Sequence, residues 1–285
     1  WAVDWPDECK DANDVLQKLG PDALASAIDQ AAAMPLEGVY SADDYALDIA
    51  NLYDKGLVGG LSTGLASVDK LFTVVPGQLS VVTGLPGSGK SEFIDQIMVN
   101  LAQSEGWRFA VASFENPPPL HIAKLSEKYV GKPFFEGMPN RMSRVESVSA
   151  MKWVNDHFLF LEQRGGEAAT IDSILDRARQ AVMRLGIRGL VIDPYNYISQ
   201  SKSVDNEHQG INEMLTRLVT FARANQIHIW FIAHPAKMAT NPDGTTAVPK
   251  GMNISGSAAF FAKADLGITV HLSPEKASEI HVWKV

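Results

Sequence analysis

Gly84-Leu85-Pro86-Gly87-Ser88-Gly89-Lys90-Ser91 decides the fold. The run has the spacing G-x-x-x-x-G-K-[ST] of a phosphate-binding loop, and each residue type has a physical reason. The glycines let backbone N–H groups turn inward as an anion nest. Lys90 brings a cation to the β- and γ-phosphates, and Ser91 offers a hydroxyl to Mg²⁺. A helix opening at Ser91 aims its positive end at the same phosphates. The predicted nucleotide cradle is therefore Gly84, Leu85, Pro86, Gly87, Ser88, Gly89, Lys90 and Ser91, with Glu92 in the helix's first turn.

The context agrees. Gln78–Thr83 is a short apolar strand ahead of the loop, and Phe93, Ile94, Ile97, Met98 and Leu101 recur behind it at helical spacing. Further strands are predicted at Phe109–Phe114, Phe158–Leu161, Leu190–Asp193, Ile227–Ala233, Gly267–Leu272 and Ile280–Val285, the last two as a hairpin-like pair. Helical periodicity appears over Ile171–Leu185 and Ile211–Phe221. Apolar strands alternating with amphipathic helices predict an α/β fold, a mostly parallel sheet sandwiched by helices.

Three strand ends carry polar residues of the right type. Asp193 closes Leu190-Val191-Ile192 and suits a metal-positioning carboxylate on a strand beside the phosphate-loop strand. With Pro194 following, it also suits a turn cap. Glu115 follows Phe109–Phe114 and precedes Asn116-Pro117-Pro118-Pro119. A carboxylate there points into the cleft at the strands' carboxyl ends, where a water-activating base belongs; an ordinary polar strand end reads equally well. His234, after Ile227–Ala233 and before Pro235, is placed to contact a γ-phosphate and report its loss to the following loop. A lone histidine is otherwise a structural or surface residue.

Two polar loops follow these ends, Ser199–Gln209 and Pro235–Ser255, the second carrying Lys237 and Lys250 against Asp243. Loops beyond ~12–15 residues are usually functional or disordered.

The amino-terminal stretch differs in character. Asp14–Leu19 and Asp22–Ala33 predict two short helices, with Asp22 as an N-cap, and neither buries much surface alone. Ser41–Lys55 predicts a linker helix capped by Ser41, with Tyr45, Ile49, Leu52 and Tyr53 on one face. A packed surface helix is the equal alternative.

Of 285 residues, 46% are hydrophobic and 20% charged, which suits a packed core rather than disorder. The lone Cys9 excludes an internal disulfide and a Cys-rich zinc module, so the chain reads as intracellular. No apolar run approaches the ~18 residues of a membrane span, and the residues after Trp1 show no basic and apolar pattern of a signal or transit peptide. Trp1 in place of an initiator Met reads as a piece of a longer protein. The formal charge of −8 argues against a broad basic surface coating DNA, while leaving room for a local basic groove.

Several segments occur in a telling order: Leu61-Ser62-Thr63-Gly64-Leu65-Ala66-Ser67-Val68-Asp69, the phosphate loop, Ser113-Phe114-Glu115-Asn116, Val191-Ile192-Asp193-Pro194-Tyr195-Asn196, Ile232-Ala233-His234-Pro235 and Ile254-Ser255-Gly256-Ser257-Ala258. The set resembles the RecA-type ATPase domain of DnaB-like replicative helicases, on the branch of phage Toprim primase-helicases and Twinkle, which uses His where bacterial DnaB has Gln. Residues 1–37, with Cys9-Lys10-Asp11-Ala12-Asn13-Asp14, resemble the tail of a Toprim primase domain; 38–60 then form the linker and 61–285 the ATPase.

The resemblance implies a RecA-like P-loop NTPase in a ring, hexameric in the whole protein, with ATP and Mg²⁺ between neighbours and single-stranded DNA in the pore. It gives Lys90 and Ser91 to phosphate and metal, Asp193 to the metal, Glu115 to water activation and His234 to γ-phosphate sensing. Lys237, Lys250 and Asn253 fall to the DNA backbone, and the linker helix to a neighbouring subunit. A bacterial or phage-infected host cytoplasm is the implied location. The chain starts too late for the Toprim metal site, so no primase activity is expected. The family's arginine finger falls just beyond Lys284, so weak hydrolysis and poor unwinding are expected of this piece alone. Phe260 or Phe261 is the guess for the adenine contact.

Two other readings share the loop. A RecA- or RadA-like recombinase would exchange strands, and a KaiC-like signalling or assembly ATPase would ignore DNA; the acidic charge leans towards the latter.

Overall fold

The computed structural model describes residues 2–32, 34, 37–56, 59–162, 169–195, 207–238, 246–254, 257–273 and 275–285. Trp1, Ala33, Asn196, the stretch 199–206, Asp243, Ser255 and Gly256, all used in the sequence reading, lie outside them. The chain divides into two compact units, Trp1–Val58 and Gly59–Val285.

The smaller unit holds α1 (Ala12–Leu19), α2 (Pro21–Asp29) and α3 (Ala46–Lys55). Asp11 caps α1 by accepting from Asp14 N at 2.9 Å. Two predicted caps are corrected. The N-cap of α2 is Gly20 with Pro21 in the first turn, because Pro has no N–H to satisfy there; Asp22 lies inside the helix. Ser41 does not accept: its N and Oγ both donate to Asp44 Oδ2, at 2.6 and 2.8 Å, and a 3₁₀ turn over Asp43–Tyr45 precedes α3. Tyr45, Ile49, Leu52 and Tyr53 are all exposed.

The larger unit is a seven-stranded sheet: β1 (Leu79–Thr83), β2 (Phe109–Ser113), β3 (Phe158–Phe160), β4 (Gly189–Asp193), β5 (His228–Ile232), β6 (Leu266–Leu272) and β7 (Ser278–Lys284). Its order is β3-β2-β4-β5-β1-β6-β7. All neighbours are parallel except β6 and β7, the predicted antiparallel pair. One expectation fails: β4 is not beside β1, because β5 pairs with both.

Strand residues divide with period two between two cores. Leu79, Val81, Ala110, Ala112, Leu190, Ile192, Ile229 and Phe231 join one core, with Ile174, Ala178, Leu215 and Leu218 of α7 (Ile171–Leu185) and α8 (Glu207–Asn225). Val82, Phe109, Val111, Val191, Trp230 and Ile232 join the other. There they meet Ile94, Ile97 and Met98 of α4 (Lys90–Glu105), Leu125 of α5 (Pro118–Val130) and Val154 of α6 (Arg144–His157). Burying both faces explains the near-continuous apolar strands. At roughly 1.5–3 kcal/mol for each buried large side chain, these two layers dominate the sheet's stability.

The helices α5 and α6 had no sequence expectation. The first opens on the proline run, and the second carries a reciprocal Ser143–Glu146 capping box. The predicted loop Ser199–Gln209 ends earlier than expected, since α8 has begun by Gln209. The loop after His234 is closed at its base: Pro235 bridges Ile254, Ala236 N donates to Asn253 O at 2.7 Å, and Gly251–Asn253 form a 3₁₀ turn. A short α9 (Ser257–Lys263) follows.

Candidate nucleotide site

Four strands deliver the predicted residues to one edge of the sheet. β1 runs into the phosphate loop, β2 into Glu115, β4 ends on Asp193, and β5 is followed by His234. Ser113 pairs in register with Asp193, and Phe114 N donates to Asp193 O at 2.8 Å, which levels the ends of β2 and β4.

The loop is held by its own backbone. Gly84 admits no side chain: an added Cβ would lie 2.2 Å from the Val270 carbonyl oxygen and 2.6 Å from Ser88 Oγ. Gly89 is left-handed and caps α4, so α4 starts with its orphan N–H groups facing the loop. Lys90 Nζ donates to the carbonyls of Gly84 at 3.0 Å and Leu85 at 3.1 Å. Ser88 Oγ is buried without a hydrogen-bond partner among the described residues. A donor held dry in an inward-turned loop, beside a lysine, fits an anionic phosphate.

Although β5 separates their strands, Ser91 Oγ donates to Asp193 Oδ2 at 2.5 Å. Burial pushes the Asp193 carboxyl above its ordinary value; the Ser91 bond and Lys90 charge lower it, while Asp95 and Glu115 raise it further. Burial likewise lowers the Lys90 ammonium, opposed by the charges of Asp193 and Glu115. A hydroxyl and a buried carboxylate are a hard-oxygen pair fit for Mg²⁺, which keeps several waters and takes phosphate oxygens for the rest. Among the described residues no cluster of three or more His, Cys, Asp or Glu offers a cage for a different metal.

Glu115 and His234 come together: His234 Nε2 lies 3.2 Å from Glu115 Oε1. The two side chains are part-exposed.

Other predicted residues sit elsewhere. Glu92 points away from the cradle, with its carboxylate 3.0 Å from Lys124 Nζ and hydrogen-bonded by Lys128 Nζ, both on α5. Lys237 and Lys250 are exposed. Asn253 Oδ1 accepts from Lys250 N at 2.8 Å, so this side chain shapes its own loop. Phe260 is fully buried against Tyr195 and Phe231 and belongs to the core, which corrects its proposed adenine contact. Phe261 is part-exposed and stacks on Trp283. Lys284 Nζ donates to the carbonyls of Phe261 and Ala262, at 2.8 and 3.0 Å, at the carboxyl end of α9.

The sequence reading missed two contacts beside the site. His121 Nε2 meets Asp95 Oδ1 at 2.9 Å, and Glu92 meets the two lysines. The only signal for them is spacing: Glu92 and Asp95 share a face of α4, and His121, Lys124 and Lys128 share a face of α5.

A family profile described as "AAA domain" matches residues 57–240. The chain is 43% identical over 283 residues to "Twinkle homolog protein, chloroplastic/mitochondrial" of Arabidopsis thaliana, covering 95% of this chain and 40% of that protein. It is 28% identical over 179 residues to "Probable plasmid replicative DNA helicase" of Chlamydia psittaci, covering 60% of this chain and 38% of that protein. The chain thus spans about two-fifths of the length of these relatives. Among solved structures it superposes on one ATPase domain with a TM-score of 0.68 at 14% identity, over 86% of this chain and 92% of that one. A DnaB-like replicative helicase, from a structure that also describes its interactions with primase, gives 0.66 at 13% identity, over 95% and 68%. These two show the fold alone, which is RecA-like.

Proposed function

The chain belongs to the AAA domain family, and on that footing we propose that it is the ATPase segment of a replicative DNA helicase. It hydrolyses ATP, moves along single-stranded DNA and opens a duplex as a ring oligomer, hexameric in the whole protein. The names of the two curated relatives support this reading. They do not favour strand exchange or DNA-independent signalling. The observation that carries it is the convergence of four strand ends, with Ser91 on Asp193 and His234 on Glu115.

Gly84–Ser91 would hold the phosphates. Mg²⁺, held by Ser91 and Asp193, would supply charge neutralisation on the phosphate oxygens. The chain's own side chains do the rest. Lys90 exchanges its loop carbonyls for phosphate oxygens. Glu115 takes the proton of the attacking water, and positioning rather than covalent chemistry provides the acceleration. His234 orients the Glu115 carboxylate and stands at the head of the loop closed by Pro235 and Ile254. Lys237 and Lys250 meet the DNA backbone, with Asn253 holding the loop's shape.

The finer assignments rest on resemblance: residues 1–37 as the end of a Toprim primase domain, 38–60 as the linker, and cytoplasmic location. The plant relative is named for organelles. Among the described residues no helix is long and apolar enough to cross a membrane.

Strand displacement on a forked DNA duplex by the whole protein, extended beyond both ends of this chain, tests the proposal. Mg·ATP-dependent displacement that Lys90→Ala abolishes is expected. Strand exchange without displacement would replace the helicase with a recombinase.

A further inference from the structure

We propose that Asp95 and His121 form a positioning pair that fixes the first turn of α5, and through it Glu115, against the phosphate-loop helix; this rests on the reading of Glu115 as the water-activating base.

Asp95 lies one turn beyond Ser91 on α4, near enough for its charge to act on Asp193. His121 lies in the first turn of α5, where its N donates to Pro117 O at 3.1 Å. The Asp95 Oδ1–His121 Nε2 contact is 2.9 Å, with side-chain exposures of only 4% and 3%. The imidazole stands edge-on to Phe160 of β3 at 5.6 Å. Its Nδ1 is buried without a hydrogen-bond partner among the described residues. In the neutral imidazole Nε2 therefore carries the proton and donates to Asp95, leaving the Nδ1 lone pair dry.

This is a poor device for stability alone. A buried polar pair loses hydration, and an orphaned nitrogen adds the desolvation cost of a hydrogen bond left unmade. An apolar pair of similar volume is often equally or more stable. What the polar pair supplies is direction: one bond of fixed length between two helices that would otherwise slide on apolar contacts.

The direction has a use. Between Glu115 and His121 the chain reads Asn116-Pro117-Pro118-Pro119-Leu120. Three consecutive prolines fix φ, so a displacement of His121 reaches Glu115 with little slack. A second contact lies along the same seam, Glu92 with Lys124 and Lys128. The phosphate loop and the base are thus tied through α4 and α5, independently of the sheet. Misplacing a reacting group by ~1 Å costs about 10²-fold.

The test is made in the full chain with five variants: His121→Leu, His121→Gln, the double Asp95→Leu/His121→Leu, Glu115→Gln, and the double Glu115→Gln/His121→Leu. Steady-state kcat and KM for Mg·ATP are measured, with affinity for a fluorescent non-hydrolysable ATP analogue and thermal melting. The apolar double variant is expected to melt at or above the wild-type temperature, to bind the analogue within about twofold, and to lose about tenfold or more in kcat. His121→Gln, which keeps an N–H donor at that reach, is expected to restore most of the rate lost in His121→Leu. Adding His121→Leu to Glu115→Gln is expected to change nothing further. A double-leucine variant that turns over at the wild-type rate, with Glu115→Gln inactive, overturns the positioning pair and leaves the base reading intact. So does a rate loss that multiplies with Glu115→Gln, or one matched by lost affinity. Wild-type turnover in Glu115→Gln overturns both.

Discussion

Ser91 Oγ and Asp193 Oδ2 are 2.5 Å apart, although the strands that lead to them are separated by β5. The hydroxyl at the start of α4 reaches past the end of an intervening strand to a carboxylate that burial holds above its ordinary pKa. The folded state keeps that proton to higher pH than the unfolded chain, so stability falls as pH rises from 3.8 through the raised value. Asp193→Asn removes the penalty. Its nucleotide-free melting temperature at neutral pH is expected to rise, by about 2–4 °C per kcal/mol relieved. The gap is expected to shrink towards low pH and on adding Mg²⁺ with nucleotide, while turnover is lost. A lower melting temperature at neutral pH would contradict the burial argument.

Gly84→Ala places a Cβ 2.2 Å from a backbone oxygen of β6, at φ +153°. That strand is buried on both faces and has nowhere to go. We expect about 1–3 kcal/mol of lost stability and weaker nucleotide binding. Gly87, at φ +75°, has nothing within 4 Å of an added Cβ. Gly87→Asn is expected to cost less, because Asn tolerates left-handed backbone. Urea unfolding of the two variants makes the comparison.

His228 is fully buried, with Nδ1 donating to Val75 O at 2.7 Å and Nε2 2.8 Å from Ser80 Oγ. Burial pushes its pKa down from 6.5 to about 4. The unfolded chain binds this proton and the folded one does not, so the contribution is complete above pH 6.5 and is lost as pH falls towards 4. The full swing is about 3 kcal/mol. Unfolding free energies at pH 7.5 and 4.5 are expected to differ less in His228→Asn than in the wild type. Equal pH slopes would contradict it.

The contact of His234 with Glu115 gives a kinetic expectation. His234→Ala leaves the phosphate loop untouched, so analogue affinity is expected to stay within about twofold while kcat falls about 10–100-fold, the scale of a displaced base. A matching loss of affinity would place His234 on the nucleotide rather than on Glu115.

Much of the candidate site's geometry was readable because each strand is an apolar run ending in one polar residue: Glu115, Asp193 and His234 announce themselves that way. The position of Asp193 relative to the phosphate loop was not readable. Strand order follows from helices crossing over two faces of the sheet, and periodicity carries no record of it. The prolines at 117–119 carried no helix expectation, yet Pro suits a helix's first turn, and α5 begins there. Helix α6 leaves Val145, Val148 and Met151 exposed, which blurs its periodicity; its Ser143-x-x-Glu146 box was the legible sign. Ser41 failed as a cap because Asp44 competes for its N–H and hydroxyl. The Asp95–His121 pair joins different helices; spacing puts each residue on a polar helix face, and no local pattern says that the two faces meet.

The most direct measurement is Mg·ATP turnover by the whole protein, extended beyond both ends of this chain, with and without a single-stranded oligonucleotide and with Lys90→Ala as the blank. Turnover stimulated several-fold by the oligonucleotide and absent in the variant is the predicted result. Lys90-dependent turnover indifferent to DNA would contradict the helicase account and leave a nucleotide-driven ATPase that does not work on DNA.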